Sequence, residues 1–277
     1  MTKFAVCFLM VFGELAFGGA LALAIPPFFK VERGFYKSSA AVYLAAAMLT
    51  AVGFALLAIR GTPEGPSASS LWIACGLWVF FCLAIGIYMV TLWTEAGILR
   101  ARAYTAALAS GLIAVIANVT LLKPAEFGFA GSILYGLTAV ASSLVLGLTS
   151  GGMLFGHWYL IDPSLPVDYL RSFVRLLGLA LVADIAALAL ATGLLALLGG
   201  PGGADAVRSL FGSHSELLAI RVLIGPIATL ALAWMCWQTL KFPQTMAATG
   251  LLYIAVMSAL VGEILGRFIL FRTAVPL

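Results

Sequence analysis

Charged side chains are scarce in this chain. Fifteen lysines and arginines and 11 aspartates and glutamates make up 9% of its 277 residues, where a soluble domain carries roughly 25%. So little charge cannot cover a water-facing surface. Histidine is scarcer still, with two residues, so any site that needs several imidazoles has little to draw on. The four cysteines, Cys7, Cys75, Cys82 and Cys236, lie in apolar stretches without a Cys-x-x-Cys spacing. They read as small buried hydrophobes rather than disulfides or metal ligands. There is no His-x-x-x-His motif, and the glycines sit in helices or Gly-Pro loops. Metal and nucleotide sites are therefore not expected.

What the chain does have is hydrocarbon. Hydrophobic residues are 63% of the sequence and the mean hydropathy is +1.13, more than a water-soluble core absorbs, so lipid is the solvent for most of it. A spanning helix needs about 20 apolar residues, and eight stretches qualify: 4–25, 40–59, 70–93, 103–122, 129–156, 170–198, 217–240 and 246–270. Breaks fall at Pro26-Pro27, at Gly61 to Pro66, at Lys123-Pro124, at Asp162 to Pro166, at Gly199 to Gly203 and at Lys241 to Gln244. A β-barrel would show alternating strands of about ten residues instead. The expectation is an all-α, polytopic integral membrane protein, with residues 1–277 forming one transmembrane domain.

The first apolar stretch has the outline of a secretory signal, with Lys3 before it and Ala22-Leu23-Ala24 after it. Glu14 interrupts its apolar region, so a retained first helix is expected. Eight passes put both termini on one side. Lys30, Arg33, Lys37, Arg100, Arg102, Arg171, Arg175 and Lys241 fall opposite them, against Lys3, Arg60, Lys123, Arg208, Arg221, Arg267 and Arg272, eight to seven. The densest cluster, Lys30 to Lys37, occupies a short loop, which weighs most in setting orientation. That favours a cytoplasmic (inner) membrane protein with both termini on the non-cytoplasmic side. The net charge of +4 then reflects orientation and lipid headgroups rather than nucleic acid.

Ionisable residues inside apolar helices are costly and mark function by default. Five stand out: Glu14, Asp184, Glu263 and Arg267, with His157 at a helix end. Glu263 and Arg267 are four apart on one helix face, which predicts a charge-assisted pair along the helix that neutralises Glu263 and reaches towards Glu14. Gly262 and Gly266 beside them allow a close helix neighbour. The pair reads either as a packing clamp or as a proton-accepting, quinol-contacting group. Asp184 has no charged neighbour at helical spacing and reads as a hydrogen bond to an adjacent helix or a station on a proton path. His157, followed by Trp158 and Tyr159, is expected at the membrane boundary. It is an interfacial side chain, a quinone headgroup contact or a haem ligand, and with His214 in a loop a haem-free chain is the economical reading. Trp158, Tyr159 and Trp93 could stack on a headgroup or simply belong to the aromatic belt.

The stretches Phe12-Gly13-Glu14 to Gly18-Gly19, Gly151-Gly152 to Gly156 and Gly262-Glu263-x-x-Gly266-Arg267-Phe, with the eight-helix topology, resemble the haem-free membrane-anchor subunits of dimethyl sulfoxide reductase and polysulfide-reductase-type complexes. That resemblance implies two four-helix bundles with a site for a membrane quinone, menaquinone or ubiquinone. It also implies docking to an iron–sulfur or cytochrome redox subunit that carries a catalytic subunit. The segment Ile87 to Glu95 does not repeat a family quinol-site motif, and His157-Trp158-Tyr159 is not a family hallmark. The largest non-membrane piece, 199–216, is too small for a catalytic domain acting on a polar substrate. Two other classes compete: an accessory structural subunit without a redox site, and a small-solute or proton transporter. The latter should show matching broken helices in its two halves.

Overall fold

The computed structural model describes residues 2–61, 66–120, 123–242 and 244–277. Parts of two expected breaks, at 62–65 and 243, and the end of the expected span 103–122, at 121–122, lie outside the described residues. Among the described residues, eight helices are long and apolar enough to cross a membrane, as the sequence predicts. They are built from α1 (Thr2–Ala22), α2 (Arg33–Arg60), α3 (Ala68–Thr91), α4 (Gly97–Thr120), α5 (Gly128–Trp158) and α6 (Val167–Leu198). The seventh crossing is α8 (Ser215–Val222) continued by α9 (Ala228–Leu240), and the eighth is α10 (Thr245–Thr273).

Helices α1 to α4 pack as one antiparallel four-helix group, and α5, α6, α8/α9 and α10 as a second. The seam between them is chiefly α1 against α5, flanked by α4 on α5 and α1 on α10. A Cβ on Gly18 would run into the main chain of Ser143 and Gly147, and one on Gly147 into Gly18. Two glycines thus bring the helix backbones into contact, the device that replaces hydrophobic drive between helices in lipid. Helix α1 is the innermost element, with most of its length covered on every side.

Three boundaries differ from expectation. Helix α2 begins at Arg33 rather than near residue 40, and α4 at Gly97 rather than 103. The basic segment read as a loop is therefore partly the first turns of α2. Arg33 Nη1 and Nη2 reach Glu95 Oε1 and Oε2 at 3.0 and 2.9 Å, tying α2 to the α3–α4 turn. The Gly-rich stretch at 199–216 holds a helix, α7 (Gly200–Phe211). Gly200 takes a left-handed φ of 64° that turns the chain, and Pro201 then fits the first helical turn, where its missing N–H is not needed. Leu210 is buried, while Arg208 pairs outward with Asp205 at 2.7 Å.

The seventh crossing is interrupted by a π-turn, Leu223–Ile227, around Pro226. Proline removes a helical donor and clashes with the preceding turn. Ser258 Oγ on α10 donates to the Ile224 carbonyl, taking up a main-chain acceptor in the irregular stretch.

Candidate functional site

The intramembrane charges converge. Arg267 Nη2 on α10 lies 2.7 Å from Glu14 Oε1 on α1. The two groups form a close ion pair. Arg221 Nη2 on α8 donates to Glu263 Oε1 on α10 at 2.8 Å. Asp184 on α6 lies within electrostatic range of Glu263, Arg221 and Arg267. All five side chains are buried, none more than 3% exposed. Three carboxylates and two guanidiniums from four helices form one cluster.

This corrects the pairing expected along α10. Glu263 and Arg267 share a face and still feel each other's charge, but each takes its ion-pair partner from another helix. The reason is the fifth charge of the cluster, Arg221, which by sequence enters only the orientation balance. The signal is a basic residue at the fifth position of the predicted span 217–240, five before a proline. Its guanidinium lies in a cradle of small residues. A Cβ on Gly225 or Gly262 would crowd Arg221 Nη1, and one on Gly266 would crowd Nε. Those glycines leave room for the planar guanidinium between the π-turn and α10. Arg267 Nη1 also donates to the Leu277 main-chain oxygen at 3.4 Å, so the C-terminal segment packs into the same region.

The cluster sits deep. Asp184 is 17 residues from Val167 and 14 from Leu198, ~25 and ~21 Å along the helix axis. In hydrocarbon an unpaired charge costs several kcal/mol, and the two interhelical pairs offset much of that. Among the described residues, Asp184 Oδ1 has no hydrogen-bond partner, and neither do Glu14 Oε2, Glu263 Oε2, Arg221 Nε and Nη1, or Arg267 Nε. The arrangement can hold and pass a proton: with three acids against two bases, full ionisation leaves one net negative charge in a low-dielectric interior.

His157 is not part of this cluster. It ends α5 exposed, with Nδ1 3.3 Å from Tyr253 Oη on α10. Tyr253 is ten residues from Glu263, ~15 Å along α10. Trp158 packs on Gly34 and edge-on to Phe35. Tyr159 donates to the Pro166 carbonyl at 2.7 Å. These three side chains thus brace the α5 end. Trp93 is exposed, with Lys37 Nζ 4.5 Å from its ring. His214 lies near Ser209 at the opposite end of the bundle from His157, 3.3 Å from its carbonyl, so the two histidines cannot share one metal.

Two cavities of about 520 Å³ flank the helices. One, at the His157 end, is lined by Phe28, Arg33, Tyr36, Tyr88, Arg100 and Tyr104 among others. The other lies between α6, α7 and α8 and reaches Arg221. Compared with known proteins, the chain matches no family model and no curated sequence.

Proposed function

We propose that the chain is the membrane subunit of a respiratory oxidoreductase complex in a bacterial cytoplasmic membrane. It exchanges electrons and protons with a membrane quinone and anchors an iron–sulfur or cytochrome subunit that carries a catalytic partner. The observation that carries this reading is the buried surplus carboxylate. Quinol and quinone interconvert by two electrons and two protons together. The electrons pass to or from the partner's metal centre, and the protons need acceptors within the membrane. Glu263 and Glu14, each paired with a guanidinium, and Asp184 within range of their charges supply such acceptors. The likeness of the Glu14 and Glu263–Arg267 stretches to the anchor subunits of dimethyl sulfoxide and polysulfide reductases supports the same assignment.

The termini lie on the non-cytoplasmic side in this reading. Removing the buried Arg221 and Arg267 from the seven basic residues on the terminal side leaves five, against eight opposite, and the rule favours the richer side as cytoplasmic.

An accessory subunit without a redox site would also use the two ion pairs as clamps, but it has no use for Asp184. Asp184→Asn is therefore the discriminating change. The proton-exchange reading expects an assembled complex whose quinol turnover falls roughly 10²-fold, the scale of a lost proton acceptor. Unchanged turnover in an assembled complex would leave only the clamp.

A further inference from the structure

On α6, Ile185, Ala189, Gly193 and Ala196 recur at helical spacing on one face. With α7 and the α8–Pro226 turn they enclose the groove of about 520 Å³, within the range of roughly 300–1,000 Å³ typical of ligand pockets. Its walls are apolar except at two places. Thr192 donates its hydroxyl to the Leu188 carbonyl at 2.8 Å. Arg221 stands at the inner end beside Leu277, 1% exposed. Its Nη2 serves Glu263, while Nε and Nη1 have no hydrogen-bond partner among the described residues. A buried donor without an acceptor costs about 1–3 kcal/mol, more when charged, so an acceptor arriving along the groove gains what the fold leaves unmet.

Charge selects the kind of acceptor. Three carboxylates already share this interior with two guanidiniums, so another anion would be repelled, whereas a neutral carbonyl would not. The apolar walls call for a long hydrocarbon tail. A tail with a neutral carbonyl head describes both a quinone and an acyl ester, and only the quinone has a use for the carboxylates behind Arg221. Resting on the function proposed above, we infer that this groove is the quinone site, with the tail along α6 and α7 and a head-group carbonyl accepting from Arg221. The site is thus on the opposite half of the molecule from His157.

Gly193 provides the test, because a Cβ built there meets nothing within 4 Å. Gly193→Phe should fill the groove without disturbing the packing behind it. The full chain in lipid nanodiscs would be photolabelled with an azido-substituted decylbenzoquinone and the label mapped by mass spectrometry. Label is expected between residues 185 and 226, competed by decylbenzoquinone but not by monoolein, and lowered about tenfold or more by Gly193→Phe. Arg221→Lys, which keeps a charge beside Glu263, should lower it too. Label beside His157, label unaffected by Gly193→Phe, or equal competition by monoolein would each overturn the groove assignment, with quinone function itself intact in the first two cases. Failure to label any specific segment would overturn both this site and the function it rests on.

Discussion

Arg221 and Glu263, 42 residues apart in sequence, meet at 2.8 Å between α8 and α10, both almost fully buried. The contact joins the start of the interrupted seventh crossing to the middle of the eighth. It fixes where the π-turn at Pro226 sits against Gly262. Removing one member of a buried pair strands the other, which costs about 3–5 kcal/mol, whereas replacing both by apolar groups can be nearly neutral. Glu263→Gln and Arg221→Met should each destabilise the protein by an amount of that order, and the double variant by clearly less than their sum. A double-mutant cycle on unfolding in mixed micelles measures it. A larger coupling for Glu263 with Arg267 than with Arg221 would refute the interhelical assignment.

The seam between the two four-helix groups depends on Gly18 and Gly147. An added Cβ at either position meets the opposite backbone, which cannot move aside as a flexible side chain would. Gly147→Ala should destabilise by about 1–3 kcal/mol or more, the usual scale of overpacking. Gly178→Ala, where the new methyl meets nothing, should be neutral or slightly stabilising because alanine favours the helix. The difference between the two melting temperatures reads out the seam.

Outside the membrane, Glu95 accepts from Arg33 through both carboxylate oxygens. That hydrogen bond first, and the charge of Arg33 second, hold its carboxyl below the usual carboxylate range. A group whose folded value is depressed stabilises the fold above its unfolded value, near pH ~4.3, and loses that contribution as the pH falls through the folded value. The melting temperature of the unchanged protein should exceed that of Glu95→Gln at neutral pH, with the gap closing as the sample is acidified. A gap that stays constant would mean that the pair adds nothing beyond packing.

Much of the fold was legible because lipid imposes a strong rule. Long apolar runs cut by proline and glycine mark eight spans whose existence the structure bears out. The first turns of α2 and α4 were missed because Arg33, Lys37 and Arg100 look like loop residues, although a helix end in the headgroup region tolerates them. Helix α7 was hidden by its Gly-Pro-Gly start, which is a turn signal and, with proline in the first helical turn, equally a helix start. In the site, Glu14, Asp184, Glu263 and Arg267 were found from depth alone. Arg221 was missed as a site residue because nothing at helical spacing pairs with it, and its partner comes from a distant part of the chain. Sequence spacing on one helix suggested Glu263 with Arg267, and tertiary packing redistributed the pair.

His157 lies at the helix end where the sequence expects it, apart from the buried charges. It is exposed and linked to Tyr253 at 3.3 Å, ~15 Å along α10 from Glu263. His157→Ala should alter stability by no more than about 0.5 kcal/mol, as surface changes do. It should also leave quinone labelling of the α6–α8 groove unaltered. Loss of that labelling in a stable His157→Ala protein would return the quinone to the α5 end.

The most direct test of the central claim is to isolate the chain with its natural neighbours from mildly solubilised membranes and add a short-chain quinol. The account predicts that an iron–sulfur or haem subunit accompanies the chain and that its metal centre exchanges electrons with the quinone pool, an exchange slowed by Asp184→Asn. A chain that is isolated without any redox subunit, or with one whose centre ignores added quinol and quinone, would contradict it.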